Sequence, residues 1–310
     1  MDTNALNQLR DNITSVYLGN TTAVDRLLTC LLARGHVLIE DVPGVGKTVL
    51  ASALSKSIKG SFSRIQCTPD LLPADVTGIT VFDRDKSEFN FKAGPIFHNI
   101  VVADEINRTT PRTQSAMLEA MSESAVSIDG VTRSLPEPFM VVATQNPYEF
   151  EGTYFLPENQ LDRFLMRIAL GYPAPPDESR VLQQQPARTT LDTLEPVIDI
   201  EDVLKLQKMT DEVTVDTSLL DYIIALATAT RNHDDLQVGL SPRGSLALCQ
   251  TARATAVLDQ RDYCIPEDIV SNVIPVCSHR IISRSYMHDG DTLTTRRIMQ
   301  QVLETVASPA

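Results

Sequence analysis

The residues best suited to chemistry lie in His36–Val–Leu–Ile–Glu–Asp–Val–Pro–Gly–Val–Gly–Lys–Thr48, where a lysine and a hydroxyl follow a glycine-containing loop. Gly44 and Gly46 lack a Cβ, so the backbone there can turn its N–H groups toward phosphate oxygens. Pro43 and Val45 complete the loop, and Val49 follows it into a helix whose N-terminus adds partial positive charge. Lys47 can reach the β- and γ-phosphates of a nucleotide, and the Thr48 hydroxyl can ligate Mg²⁺. Asp41 stands where the strict phosphate-loop pattern has its first glycine. That position begins the turn, away from the phosphates, so substitution there is expected to matter little. An ordinary glycine turn before a helix would share this spacing, so a second motif has to decide.

Asn99–Ile–Val–Val–Ala–Asp–Glu105 supplies one. Asp104 is placed to hold Mg²⁺, and Glu105 to orient and deprotonate a water for in-line phosphoryl transfer. A third apolar run, Phe139–Met–Val–Val–Ala–Thr144, leads to Gln145–Asn146. If the runs pack side by side, Asn146 can position the same water and sense the γ-phosphate. Arg163, in Leu161–Asp–Arg–Phe164, can cross to a neighbouring subunit and stabilise charge developing at its phosphate. A surface ion pair with Asp162 or Glu158 is the plainer role for it. Arg243, in Gly239–Leu–Ser–Pro–Arg243, is a candidate phosphate sensor at the start of a later helix.

These groups need a parallel sheet beneath them. Val37–Ile39, Phe62–Gln66, Asn99–Ala103 and Phe139–Thr144 are short runs that read as strands, and the β-branched residues of the third suit the middle of a parallel sheet. Gly78–Phe91 alternates about a polar turn, and Ala125–Ile128 meets Val131–Leu135 across Asp129–Gly130, so two hairpins are expected. Pro173–Ala–Pro–Pro176 breaks the chain, and a helix around 177–185 follows. Spaced apolar residues then predict helices over 200–210, 217–231, 242–258 and 266–283, with Leu219, Ile223 and Leu226 in their core.

The chain resembles the AAA+ ATPases and, within them, the MoxR family. The resemblance rests on residues 40–48, 104–121, 143–147 and 151–164 and covers nearly the whole chain. It implies an α/β fold: a parallel-sheet phosphate-loop core with hairpin inserts over residues 1–188, then a smaller all-helical lid over 189–310. It implies that Tyr17, Leu18 and Gly19 line an adenine pocket, although a plain turn between helices would read alike. It further implies Mg²⁺-dependent ATP hydrolysis at the interfaces of a homo-oligomeric, hexameric ring. Client proteins would be remodelled, often with a von Willebrand factor A-domain partner. A metal-chelatase ATPase subunit, a nucleotide-switched scaffold with negligible turnover and a nucleic-acid motor are the competing readings. Whether Arg243 serves its own nucleotide or a neighbour's stays open.

Composition narrows these. The 310 residues suffice for about two domains, and 43% are hydrophobic. A net charge of −13 disfavours general nucleic-acid binding, which needs basic surface. Arg280, Arg284, Arg296 and Arg297 read as solvated helix faces rather than a binding strip. No apolar run approaches a membrane span, and the polar start is no signal peptide, so a cytoplasmic protein without membrane insertion is expected. The five cysteines are scattered and the histidines lack metal spacing, so reduced thiols and no structural metal are expected.

Overall fold

Five short strands set the architecture: β1 Val37–Glu40, β2 Phe62–Gln66, β3 Ile100–Asp104, β4 Met140–Gln145 and β5 Met166–Ile168. In the computed structural model, which describes residues 4–147, 152–184, 191, 193–284 and 292–309, they form one parallel sheet in the order β5-β1-β4-β3-β2. Alternation along the strands feeds two cores. Val37, Ile39, Val102, Val142, Met166 and Ile168 face one way, toward helix Lys47–Ser57 and its Leu50 and Leu54. Leu38, Val101, Ala103, Val141 and Ala143 face the other, toward Met117, Leu118 and Met121 of helix Pro111–Glu123. Each fully buried Leu, Ile or Val contributes about 1.5–3 kcal/mol. Such a sheet, covered on both faces, holds its strand ends rigidly.

Helices Asn4–Val16 and Thr21–Leu32 close the first face, the former through Leu6, Leu9, Ile13 and Val16. Both expected hairpins form. Gly78–Asp83 pairs antiparallel with Glu88–Ala93, and Ala125–Ile128 with Val131–Ser134. Asp129 and Gly130 carry the second turn at φ of 52° and 75°, the left-handed pair that such turns require. The tilted rings of Phe82 and Phe89 lie with centroids 5.0 Å apart yet stay exposed on the first hairpin, Phe89 by 74%.

The C-terminal part is helical: Ile200–Glu212, Thr217–Arg231, Pro242–Leu258, Pro266–Cys277 and Thr292–Thr305. Leu219, Ile223 and Leu226 are buried as expected, and the side chains of Asp216 and Ser241 cap their helices by accepting from Ser218 N and Gly244 N. Leu191 and Ile198–Asp199, which the sequence reading put in the lid, contact the core. Lys56 Nζ donates to the Leu191 carbonyl at 3.0 Å, and Ile198–Asp199 pairs with Ile58–Lys59.

The fourth of these helices stops at Cys277, short of the expected residue 283. Arg280 explains the stop: its guanidinium folds back to the Val276 carbonyl and satisfies the helix end. Arg280 is therefore no solvated face. Its side chain is 3% exposed and bonds Asp162 Oδ1 at 2.8 Å. Arg284 and Arg297 are exposed and Arg296 is half-buried. The five thiols are free; Cys30, Cys67, Cys264 and Cys277 are buried, and Cys249 is half-buried. Among the described residues no helix is long and apolar enough to cross a membrane.

Candidate functional site

Because the strands are parallel, their C-terminal ends share one edge, where open α/β sheets bind ligands. A cleft of about 350 Å³ opens there. It brings together Pro43, Gly44, Gly46, Lys47, Thr48 and Val49 after β1, Asp104 and Glu105 after β3, and Asn146 after β4. Arg64, Gln66 and Thr144, which sequence reasoning did not single out, share its wall. The signal for them was register: Gln66 lies opposite Asp104, and Arg64 is two residues back on the same face.

Gly44 and Gly46 take φ of +86° and +91°, which only glycine adopts without strain. A Cβ on Gly46 would make ordinary van der Waals contact with the Tyr17 ring, at 3.4 Å. Tyr17 is thereby placed against the phosphate loop; its hydroxyl is pushed up to about 12, by burial first and then by the nearby Asp41 charge. Leu18 is buried beside it, and Gly19 is pressed against the Tyr17 ring. Val45 packs on the core rather than facing the cleft. Lys47 Nζ donates to the carbonyls of Asp41 and Gln145, the latter at 2.9 Å, which tethers it over the loop.

Asp41 has a function that the sequence reading missed. Its Oδ2 accepts from the backbone N–H groups of Leu170 and Gly171, at 2.8 and 2.7 Å, and its Oδ1 from Val42 N at 2.8 Å. The acid ties the phosphate loop to the chain leaving β5.

Asp104 is 3% exposed. Its Oδ1 accepts from the Thr48 and Thr144 hydroxyls at 3.2 and 3.3 Å, and its Oδ2 pairs with Arg64 Nε at 2.6 Å. Glu105 stands at φ 58°, a left-handed conformation that costs a non-glycine residue about 1 kcal/mol or more. Its N–H donates to Thr144 Oγ1 at 3.0 Å, and its carboxylate receives Arg108 Nε at 3.1 Å and Gln66 Nε2 at 3.4 Å. The strained turn aims its carboxylate back over the cleft. Asn146 is buried, and its carbonyl accepts from Asn107 Nδ2 at 3.3 Å.

Thr48 and Asp104 present two adjacent oxygens, a donor set that suits a hard cation completed by phosphate oxygens and water. Among the described residues no group of three or more His, Cys, Asp or Glu could hold a metal by itself. The residues thus fit Mg²⁺ brought with a nucleotide.

Arg163 and Arg243 do not come to this cleft. Arg163 precedes β5, whose first residue lies opposite Val37 at the start of β1. The phosphate loop follows the other end of that strand, roughly 13 Å away along four residues. Arg163 donates to Ser122 Oγ at the end of helix Pro111–Glu123. Arg243 Nη1 is 3.6 Å from Asp162 Oδ2, beside Arg163. Asp162 is thus engaged by Arg280 and Arg243. Two arginines foreseen at a phosphate stand together at the far end of the sheet.

Comparison with known proteins matches this arrangement. The family model described as "ATPase family associated with various cellular activities (AAA)" matches residues 36–166, and the AAA lid domain matches 228–302. YeaC of Bacillus subtilis, an uncharacterized protein, is 52% identical over 259 residues, covering 84% of this chain and 81% of its own. Chaperone MoxR1 of Mycobacterium tuberculosis is 39% identical over 303 residues, covering 95% of this chain and 80% of its own. The chain belongs to the MoxR family of AAA+ ATPases. A crystal structure from Cytophaga hutchinsonii superposes with a TM-score of 0.88 at 36% identity, covering 99% of this chain and 96% of that one. The MoxR fold therefore extends over both the parallel sheet and the helical lid.

Proposed function

We propose that this MoxR protein hydrolyses ATP at contacts between copies of itself and uses the cycle to remodel partner proteins. One observation carries the reading: the cleft holds Lys47, Thr48, Asp104, Glu105 and Asn146, while Arg163 and Arg243 face away from it at the opposite end of β1. An arginine so placed can serve the phosphate of a neighbour but not its own.

The geometry supports the following division of labour. The N–H groups around Gly44 and Gly46 and the Lys47 ammonium bind the triphosphate. Tyr17, Leu18 and Gly19 pack beside the loop, where the base would rest. Thr48 and Asp104 hold Mg²⁺, which supplies neutralisation of phosphate charge when bound. Glu105 accepts the proton of the attacking water, and Asn146 orients that water. Arg163 of an adjacent copy meets charge developing on the transferred phosphoryl group, with Arg243 beside it.

A closed, hexameric ring fits a head-to-tail contact of this kind. The chaperone name of the mycobacterial relative supports protein remodelling over metal chelation, and a von Willebrand factor A-domain protein is the first partner to test. The acidic chain and the absence of a membrane-crossing helix among the described residues support a cytoplasmic setting for this work. We place the start of the lid at Ile200, since Leu191 and Ile198–Asp199 contact the core.

The test is turnover by wild type, Glu105→Gln and Arg163→Ala, alone and mixed, with assembly followed by light scattering. Each variant alone should bind ATP and lose hydrolysis. A mixture should regain turnover, because Glu105 of an Arg163→Ala copy can meet Arg163 of a Glu105→Gln copy. Turnover by Glu105→Gln alone, or no recovery in any mixture, would overturn the reading.

A further inference from the structure

Arg64 makes a close contact in the cleft, its Nε standing 2.6 Å from Asp104 Oδ2. Asp104 is 3% exposed, and a carboxylate taken that far from water needs a cation or a full set of donors. The hydroxyls of Thr48 and Thr144 serve Oδ1, and Arg64 brings a positive charge to Oδ2. Yet Arg64 is not anchored in the core. It lies on β2, the edge strand of the sheet, with its side chain 52% exposed and lining the cleft. Its guanidinium can swing about its own stem without opening a cavity.

The inference rests on the nucleotide reading, under which Asp104 and Thr48 hold Mg²⁺. A guanidinium and a divalent cation on one small carboxylate repel each other strongly in a partly dry site. The triphosphate brings compensating negative charge into the same cleft, within the sweep of Arg64. We propose that Arg64 is an exchangeable counterion: it holds Asp104 while the cleft is empty and yields it to Mg²⁺ when nucleotide enters, turning toward the phosphates. Arg64 thereby acts through Asp104 as a positioning residue and sets how strongly nucleotide binding depends on Mg²⁺. It keeps the buried acid neutralised between turnovers and makes metal-free occupancy of the cleft easier to sustain.

The experiment is calorimetry of ATP binding in MgCl₂ and in EDTA, which reads affinity rather than activity. In Arg64→Gln the ratio of the Mg²⁺ affinity to the EDTA affinity should rise by about tenfold, the equivalent of one charge-assisted hydrogen bond no longer displaced. Arg64→Lys, which keeps the charge, should stay near the wild-type ratio. Placed on Asp104→Asn, the Arg64→Gln change should leave the ratio unmoved, because the group competed for is gone. Should the glutamine variant fail to fold, Arg64→Met keeps the apolar stem and carries the same expectation. A ratio that is unchanged or lower in the folded variant overturns the counterion proposal. Lys47→Ala separates the two levels: if it binds ATP as wild type does, the nucleotide reading fails. If it loses binding and Arg64→Gln still leaves the ratio unmoved, the role of Arg64 alone fails.

Discussion

Replacing Asp41 by glycine restores the strict phosphate-loop pattern and should nevertheless damage the protein. The carboxylate accepts from Leu170 N at 2.8 Å and Gly171 N at 2.7 Å, across 129 and 130 residues of chain. A hydrogen bond to a charged group contributes about 1.5–3 kcal/mol. Leu170 is buried, so its N–H would lose its acceptor outright. Gly171 is exposed, and water replaces most of its bond. The Val42 bond is to the next residue and persists in the unfolded chain, so it adds little. The sum is about 2–4 kcal/mol, and extra glycine freedom adds up to about 1. At roughly 2–4 °C per kcal/mol for a chain of this size, melting should fall by roughly 4–20 °C. Asp41→Asn keeps one acceptor oxygen and should lose about half as much. Melting is followed without nucleotide, so that ligand stabilisation does not mask the loss. Asp41→Gly melting within about one degree of wild type would refute the assignment of Asp41 as a tether.

Two further predictions concern buried groups. His36 accepts from Val141 N at its Nδ1 and faces the Met121 carbonyl with its Nε2, each at 3.0 Å, and burial lowers it from 6.5 to about 4. Below pH 6.5 the unfolded chain takes a proton that the folded one refuses, so this stability is present above 6.5 and is lost as pH falls toward 4. The loss is about 2 kcal/mol between pH 7 and 5; urea titrations at both should show it, and an equally steep loss in His36→Gln would sink the assignment. Arg280→Met should destabilise by about 3 kcal/mol, because a buried ion pair loses one partner. Chemical denaturation checks this, and a change under about 1 kcal/mol, the level expected of a surface pair, would count against it.

How much was legible depended on the range of the interaction. The strands carrying Ile39, Val102 and Val142 could be read because burial on both faces demands β-branched runs, and Asp104, Glu105 and Asn146 follow them directly. The hairpins announced themselves by alternation and by Asp129–Gly130. Arg280 was misjudged because helical spacing says nothing about an acid such as Asp162, 118 residues away. Asp41 failed for the same reason. Arg64 required knowing that β2 lies beside β3, which strand patterns do not disclose. The separation of Arg163 from the cleft required the parallel pairing of β5 with β1.

That edge strand has a mechanical consequence. At its upper end Asp41 clamps Leu170 and Gly171 to the phosphate loop. At its lower end Arg280 grips the carbonyls of Asp162, Phe164 and Leu165, and His279 meets the Phe164 carbonyl at 3.0 Å. Between the clamps run only Met166, Arg167, Ile168 and Ala169, the first three stiffened by pairing with β1. The segment is a short strut pinned at both ends, one pin on the loop that cradles phosphate and the other on the helical domain. A shift of the loop must push the strut or break a pin, so the helices and the Arg163 segment travel as one lever.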